Sequence, residues 1–413
     1  MRHGSKGARI VCEIPRLRDL SAERGPLGAA GKLMAQYRIP FNRPTRTDRD
    51  VDYIRQALDS GKLAGDGPFT RRCQARLEEL LGAPRALLTT SCTDAIEMSA
   101  LLANIQPGDE VIVPTFTFVS SINPLVLRGA RPVFADIRED TLCLDERQLE
   151  RLITPRTRAI MVVHYAGVPC EMAVICEAAS AVGAMVIEDN AHGFLGSQQG
   201  KPLGTFGAMS ALSFHDTKNI TCGEGGALVI NDPALIERAE ILRQKGTDRS
   251  KFLRGQIDKY GWVDLGSSFL PSELLAAMLT AQLEQAEWIQ GRRREMWQRY
   301  ADGLQGWAAD FGVALPIVLP DTTPSFHMFN LIVPNVAFRD GLFAHLRLHG
   351  IQAVSHYPPL HLSPKGIEFG GSVGLCPVAE RVNELIVRLP FYTNMSASEQ
   401  TDVLSAILEF NGR

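Results

Sequence analysis

Seven short apolar runs punctuate the chain between residues 86 and 230, at 86–88, 110–113, 132–135, 159–163, 184–187, 209–214 and 227–230. Amphipathic stretches such as 170–182 lie between several of them. Apolar runs separated by helices are the pattern of a mostly parallel sheet covered on both faces. Pro233 opens a predicted helix that runs through Arg243, and a single long helix is predicted from Pro271 to about Leu304, with proline at its start. Runs at 328–333, 353–355 and 385–389 predict a second, smaller α/β unit. Residues 1–38 mix charge, Gly and Pro without a sustained period. The expected organisation is therefore an N-terminal extension over 1–38, a large domain over 39–283 and a small C-terminal domain over 284–413.

Composition narrows the class. A chain of 413 residues, 45% apolar and 22% charged, has the make-up of a soluble globular protein of two to three domains. A net charge of −3 gives no basic footprint for nucleic acid. No stretch approaches the ~20 apolar residues that span a bilayer, and no apolar segment follows the basic start, so a cytoplasmic protein without membrane association is expected. The eight cysteines form no CxxC pair, so neither a disulfide framework nor a metal site is expected.

Several strand ends carry chemistry. The run at 209–214 leads into Ser213-Phe214-His215-Asp216-Thr217-Lys218-Asn219, and Gly223-Glu224-Gly225-Gly226 follows. Lysine is normally left in water. One placed just past a buried strand end points to imine formation with a carbonyl, which needs an amine able to lose its proton. Alone the signal is weak, since most loop lysines are solvated. Pyridoxal phosphate (PLP), the cofactor that uses such a lysine, also needs a carboxylate on its ring nitrogen. The run at 184–187 ends in Glu188-Asp189-Asn190-Ala191-His192, which makes Asp189 the candidate, although a helix cap would account for it equally. Thr89-Thr90-Ser91-Cys92-Thr93-Asp94 precedes an amphipathic helix, where hydroxyls and amides bind phosphate. Pro114-Thr115-Phe116-Thr117-Phe118 brings aromatics to the same sheet edge.

Asp189-x-x-His192, the Ser213–Asn219 segment and Gly-Glu-Gly-Gly, in this order, resemble the DegT/DnrJ/EryC1/StrS sugar aminotransferase family, from about Ile39 to the C-terminus. The resemblance implies the aspartate-aminotransferase fold (fold type I), an α/β fold whose large domain holds a mostly parallel seven-stranded sheet beside a smaller C-terminal α/β domain. It also implies a homodimer with active sites at the interface. It assigns Lys218 to the covalent linkage with PLP, Asp189 to the ring nitrogen, His192 to the ring hydroxyl, Phe118 to ring stacking, and Thr93, Asp94 and Ser213 to the phosphate, with Asp94 acting through its backbone amide.

Within the family, the segments 245–250, 254–260, 265–273 and 356–361 are similar to dTDP-4-amino-4,6-dideoxygalactose transaminases. That likeness implies dTDP-4-keto-6-deoxyglucose as acceptor and L-glutamate as donor, and a related group makes the gluco epimer. Arg249, Arg254, Lys259, His327 and His356 are the substrate-binding candidates. Many members place an asparagine of the neighbouring subunit on the cofactor phosphate; the corresponding position here is Leu270, so another donor is needed. The alternatives are amination of a 3-keto sugar, or a non-catalytic regulatory member of the fold. A sugar 3-dehydratase would carry histidine in place of Lys218.

Overall fold

The computed structural model describes residues 37–412. The expected extension, apart from Tyr37 and Arg38, lies outside the described residues, as does Cys12.

All seven apolar runs form strands of one sheet: β1 (Arg85–Thr89), β2 (Glu110–Pro114), β3 (Arg131–Ala135), β4 (Thr157–Val163), β5 (Met185–Asp189), β6 (Met209–Ser213) and β7 (Gly226–Ile230). Their spatial order is β1-β7-β6-β5-β4-β2-β3. The five strands from β3 to β6 are parallel neighbours, and β7 runs antiparallel between β6 and β1. The fold is thus an α/β fold with a mostly parallel seven-stranded sheet, as expected. Burial on both faces explains the unbroken apolar runs: every residue of β2 and β7 is buried.

Helices cover both faces. On one side α1 (Asp50–Asp59) and α2 (Pro68–Leu81) pack on Leu88, Leu212 and Val229. On the other, α3 (Cys92–Leu102) and α4 (Met172–Ala181) pack on Val111, Ile160 and Ile187. The predicted helix at 233–243 is present as a 3-10 turn, Pro233–Leu235, continuing into Ile236–Arg243.

The single helix expected from Pro271 is two helices, α5 (Glu273–Glu284) and α6 (Ala286–Phe311). Gln285 between them has φ −102° and ψ 13°, and its N–H bonds three residues back to Gln282. The break has a tertiary cause. Ala276, Leu279 and Leu283 of α5 belong to the core under β1, whereas Trp297, Tyr300 and Leu304 of α6 belong to a second core. One straight helix could not present its apolar stripe to both.

That second core is closed by a two-stranded sheet, β8 (Asn330–Ile332) with β9 (Ile386–Arg388), and by helices α7 (Val336–Leu348) and α8 (Ala397–Glu409). The run at 353–355 is not a strand; only Val354 bridges to Arg388. Ile39, placed by sequence in the large unit, packs into the second core and bridges Ile351.

Candidate active site

The C-terminal ends of the parallel strands converge with the start of antiparallel β7, and the loops leaving them enclose a cavity of about 390 Å³. Ligands bind at such edges because backbone groups and loop side chains point outward there while the sheet holds them rigid.

Lys218 lines this cavity. The turn after β6 is fixed by the N–H of Lys218 donating to the His215 carbonyl at 3.0 Å. Burial pulls the amine below its ordinary value, against the opposing pull of nearby Asp189. A half-buried amine with this bias holds more of its neutral, nucleophilic form.

Asp189 ends β5 and is buried. Its Oδ2 accepts from the Ser121 hydroxyl at 2.6 Å and its Oδ1 from the Ala191 N–H at 3.1 Å. Each oxygen thus keeps a lone pair for a further donor. The adjacent Glu188 points to the opposite face of the strand. There it takes the amides of Gly204, Phe206 and Gly207 at 2.7–2.8 Å and the His164 ring at 2.9 Å, a structural role.

His192 follows in the same loop and stacks on His327, centroids 4.2 Å apart and planes at 19°. Burial and the neighbouring Lys218 hold His192 well below the usual imidazole range, which favours its neutral form. Its buried Nδ1 has no protein partner. His327 donates its Nδ1–H to Asn219 Oδ1, 2.9 Å away, while the Asn219 amide donates to the Ser325 carbonyl. His356 lies across the cavity; the Tyr165 hydroxyl is 3.2 Å from its Nδ1, and its buried Nε2 is unpartnered. Burial and Arg388 push His356 well below the usual imidazole range too.

One end of the cavity is the N-terminus of α3. Ser91 caps it by accepting the Asp94 N–H at 3.1 Å, and the Thr93 hydroxyl donates to Ser120 at 3.0 Å. The Asp94 amide is thus already engaged by its cap; burial raises its carboxyl above the usual range. Ser213 completes this end. Gly226 sits so close that a Cβ there would lie 2.4 Å from the Cys92 nitrogen and the Ser91 carbonyl, so only glycine lets β7 approach the helix start.

The structure therefore brings Lys218, Asp189, His192, Thr93, Ser213, Phe118 and His356 to one cavity, with His327 stacked behind. Phe118 is half exposed at the mouth, its ring 5.1 Å from that of Tyr357. Arg249, Arg254 and Lys259 are not brought there: all three are exposed, and Arg254 pairs with Glu240 at 2.7 Å. Thr117, Ser121 and Tyr165 went unnoticed in the sequence. Their one legible signal is a polar group within a few residues of a strand end.

This donor set suits PLP. It offers a neutral-biased amine, a carboxylate with free lone pairs, an unpartnered imidazole nitrogen, and hydroxyls around a helix N-terminus, where an anion is stabilised.

Comparison with known proteins points the same way. The profile of the DegT/DnrJ/EryC1/StrS aminotransferase family matches residues 44–408. The chain is 33% identical to dTDP-3-amino-3,4,6-trideoxy-alpha-D-glucose transaminase of Streptomyces venezuelae, covering 87% of this chain and 91% of the relative. It is 30% identical to GDP-perosamine synthase of Escherichia coli O157:H7, covering 90% and 98%. A Streptococcus pneumoniae structure assigned as a sugar aminotransferase, in its PLP form, superimposes with a TM-score of 0.82 at 25% identity, over 90% of this chain and 98% of that one.

Proposed function

This chain belongs to the DegT/DnrJ/EryC1/StrS aminotransferase family, and from that premise we propose that it transfers the amino group of L-glutamate to a nucleotide-linked 4-keto-6-deoxyhexose, dTDP-4-keto-6-deoxyglucose. It is a PLP-dependent aminotransferase. The observation that carries the reading is the half-buried Lys218 amine, its pKa lowered by desolvation, sharing a cavity with the Asp189 carboxylate.

When bound, PLP supplies an electron sink for the carbon that bears the transferred nitrogen. The residues divide the remaining work. Lys218 Nζ anchors the cofactor and, once released, moves the proton of the donor's α-carbon; one amine serves both uses because they occur at different times. Asp189 holds the proton on the ring nitrogen. His192, with its Nδ1 unpartnered, is the group for the ring hydroxyl, and Phe118 offers a ring face. Thr93, Ser213 and the α3 start hold the phosphate, with the Asp94 amide held by Ser91. His356 is the substrate-contact candidate that lines the cavity within this chain, and His327 supports His192 from behind.

Support for C4 comes from the likeness of the segments 245–273 and 356–361 to 4-amino sugar transaminases. A second reading, amination at C3, is favoured by the name of the Streptomyces venezuelae relative. Incubation with dTDP-4-keto-6-deoxyglucose and glutamate, followed by NMR of the product, decides. Nitrogen on C4 is expected; turnover of a 3-keto sugar alone would replace this reading with the second.

The family organisation supports a homodimer with shared sites. The loop after Lys245 exposes Trp262, Val263 and Leu265 to 79%, 55% and 51%. Apolar groups so bare fit a surface that another subunit covers. In such a dimer Arg249, Arg254 and Lys259 would serve the neighbour's substrate. The two cores correspond to a cofactor-bearing large domain and a small domain that carries β8 and β9.

A further inference from the structure

A chain of hydroxyls stands behind Asp189. Thr117 and Ser121 lie in the segment that follows β2, and both are buried, Ser121 completely. Thr117 Oγ1 and Ser121 Oγ are 2.7 Å apart, and Ser121 Oγ donates to Asp189 Oδ2 at 2.6 Å. Because β4 separates β2 from β5, this segment crosses the end of one strand to reach the carboxylate.

The direction of the chain follows from proton counting. An ionised carboxylate can only accept, so Ser121 gives its single proton to Asp189. Ser121 is then an acceptor toward its neighbour, and Thr117 is the donor. On the other side the Ala191 N–H holds Oδ1. Two donors from different segments, one per oxygen, fix the plane of the carboxylate. A hydrogen bond to an ionised acceptor is about twice as strong as a neutral one and strengthens away from water.

We propose that Ser121, backed by Thr117, is a positioning residue that aims the free lone pair of Asp189 at the nitrogen of the PLP ring and so sets how firmly that nitrogen keeps its proton. The proposal rests on the PLP-dependent reading of the site but not on the identity of the sugar. Without the hydroxyl, only the Ala191 N–H holds the carboxylate, and its oxygen would meet the ring over a wider range of angles.

The test compares wild type, Ser121→Ala, Ser121→Thr, Thr117→Val and Asp189→Asn, each loaded with PLP. Three quantities are read: the affinity of the apo-protein for PLP, the pH at which the bound-cofactor absorbance changes, and the single-turnover rate with glutamate. Ser121→Ala is expected to move the absorbance transition by about one pH unit and to slow the half-reaction about tenfold, the loss of one charge-assisted hydrogen bond. Ser121→Thr is expected to restore both, and Thr117→Val to fall between. Thermal unfolding of each apo-protein identifies a folding defect, and in that case the Ser121→Thr and Thr117→Val pair carries the decision. If Ser121→Ala titrates and turns over as wild type does while Asp189→Asn is impaired, the proposal is overturned. A loaded wild type that reacts with glutamate but ignores every keto sugar nucleotide would remove the proposed substrate and leave the relay standing.

Discussion

Lys218 pays for its position, since burial disfavours its charged form. The folded state binds a proton here less readily than the unfolded chain, whose lysine titrates near 10.5. Below that value the unfolded state therefore holds more protons, and this residue's contribution to stability rises with pH. Lys218→Met in the apo-protein removes that dependence. The stability of the variant minus that of wild type, from urea denaturation, should fall as pH climbs from neutrality toward 10.5. A difference independent of pH would mean that Lys218 sits in an ordinary aqueous setting, and one that grows would mean that the pull of Asp189 outweighs burial. Lys218 and Asp189 were legible in the sequence as candidates because the proposed chemistry admits few other residue types and both lie within four residues of the end of an apolar run. The Thr117–Ser121 relay was not. Hydroxyls near a strand end are commonplace, and the partner that gives these two meaning lies 68 residues away.

Among the elements, α2 begins without a side-chain cap of its own, since Gly67 has none to offer. Glu273, the first residue of α5, supplies the cap instead. Its carboxylate accepts the amides of Gly67, Phe69 and Thr70 at 2.8–3.0 Å, together with the Thr70 hydroxyl. A negative charge at a helix N-terminus also meets the positive end of the helix dipole. Glu273→Gln replaces one acceptor oxygen by a donor and leaves a buried N–H without a partner. A loss of about 2–3 kcal/mol is expected in urea denaturation with an unchanged slope; a loss under about 0.5 kcal/mol would show that water or relaxation replaces the cap. The strands were readable because β2, β4 and β7 are buried on both faces, which leaves unbroken apolar runs. The break at Gln285 was not readable. No Gly or Pro marks it, and its cause is the demand of two cores for two helix directions.

At the scale of the molecule, the sheet edge holds the groups proposed to bind the cofactor, His356 lines the same cavity, and His327 stacks on His192 behind it. Among the described residues no helix is long and apolar enough to cross a membrane. The bare Trp262, Val263 and Leu265 are the groups that a second subunit would cover in the proposed dimer. Light scattering at assay concentration should give a dimer, and Trp262→Asp should yield monomers with reduced turnover; a wild-type monomer with full activity would end the shared-site reading. The central claim, that Lys218 and Asp189 serve amino transfer to a sugar nucleotide, is tested most directly by following the nitrogen itself. Nitrogen-15-labelled glutamate is mixed with PLP-loaded protein and dTDP-4-keto-6-deoxyglucose, and the sugar product is examined by NMR. The label is predicted on C4 of the sugar with wild type and nowhere on it with Lys218→Ala. Labelled sugar formed equally well by Lys218→Ala, or none formed by the loaded wild type, would contradict the account.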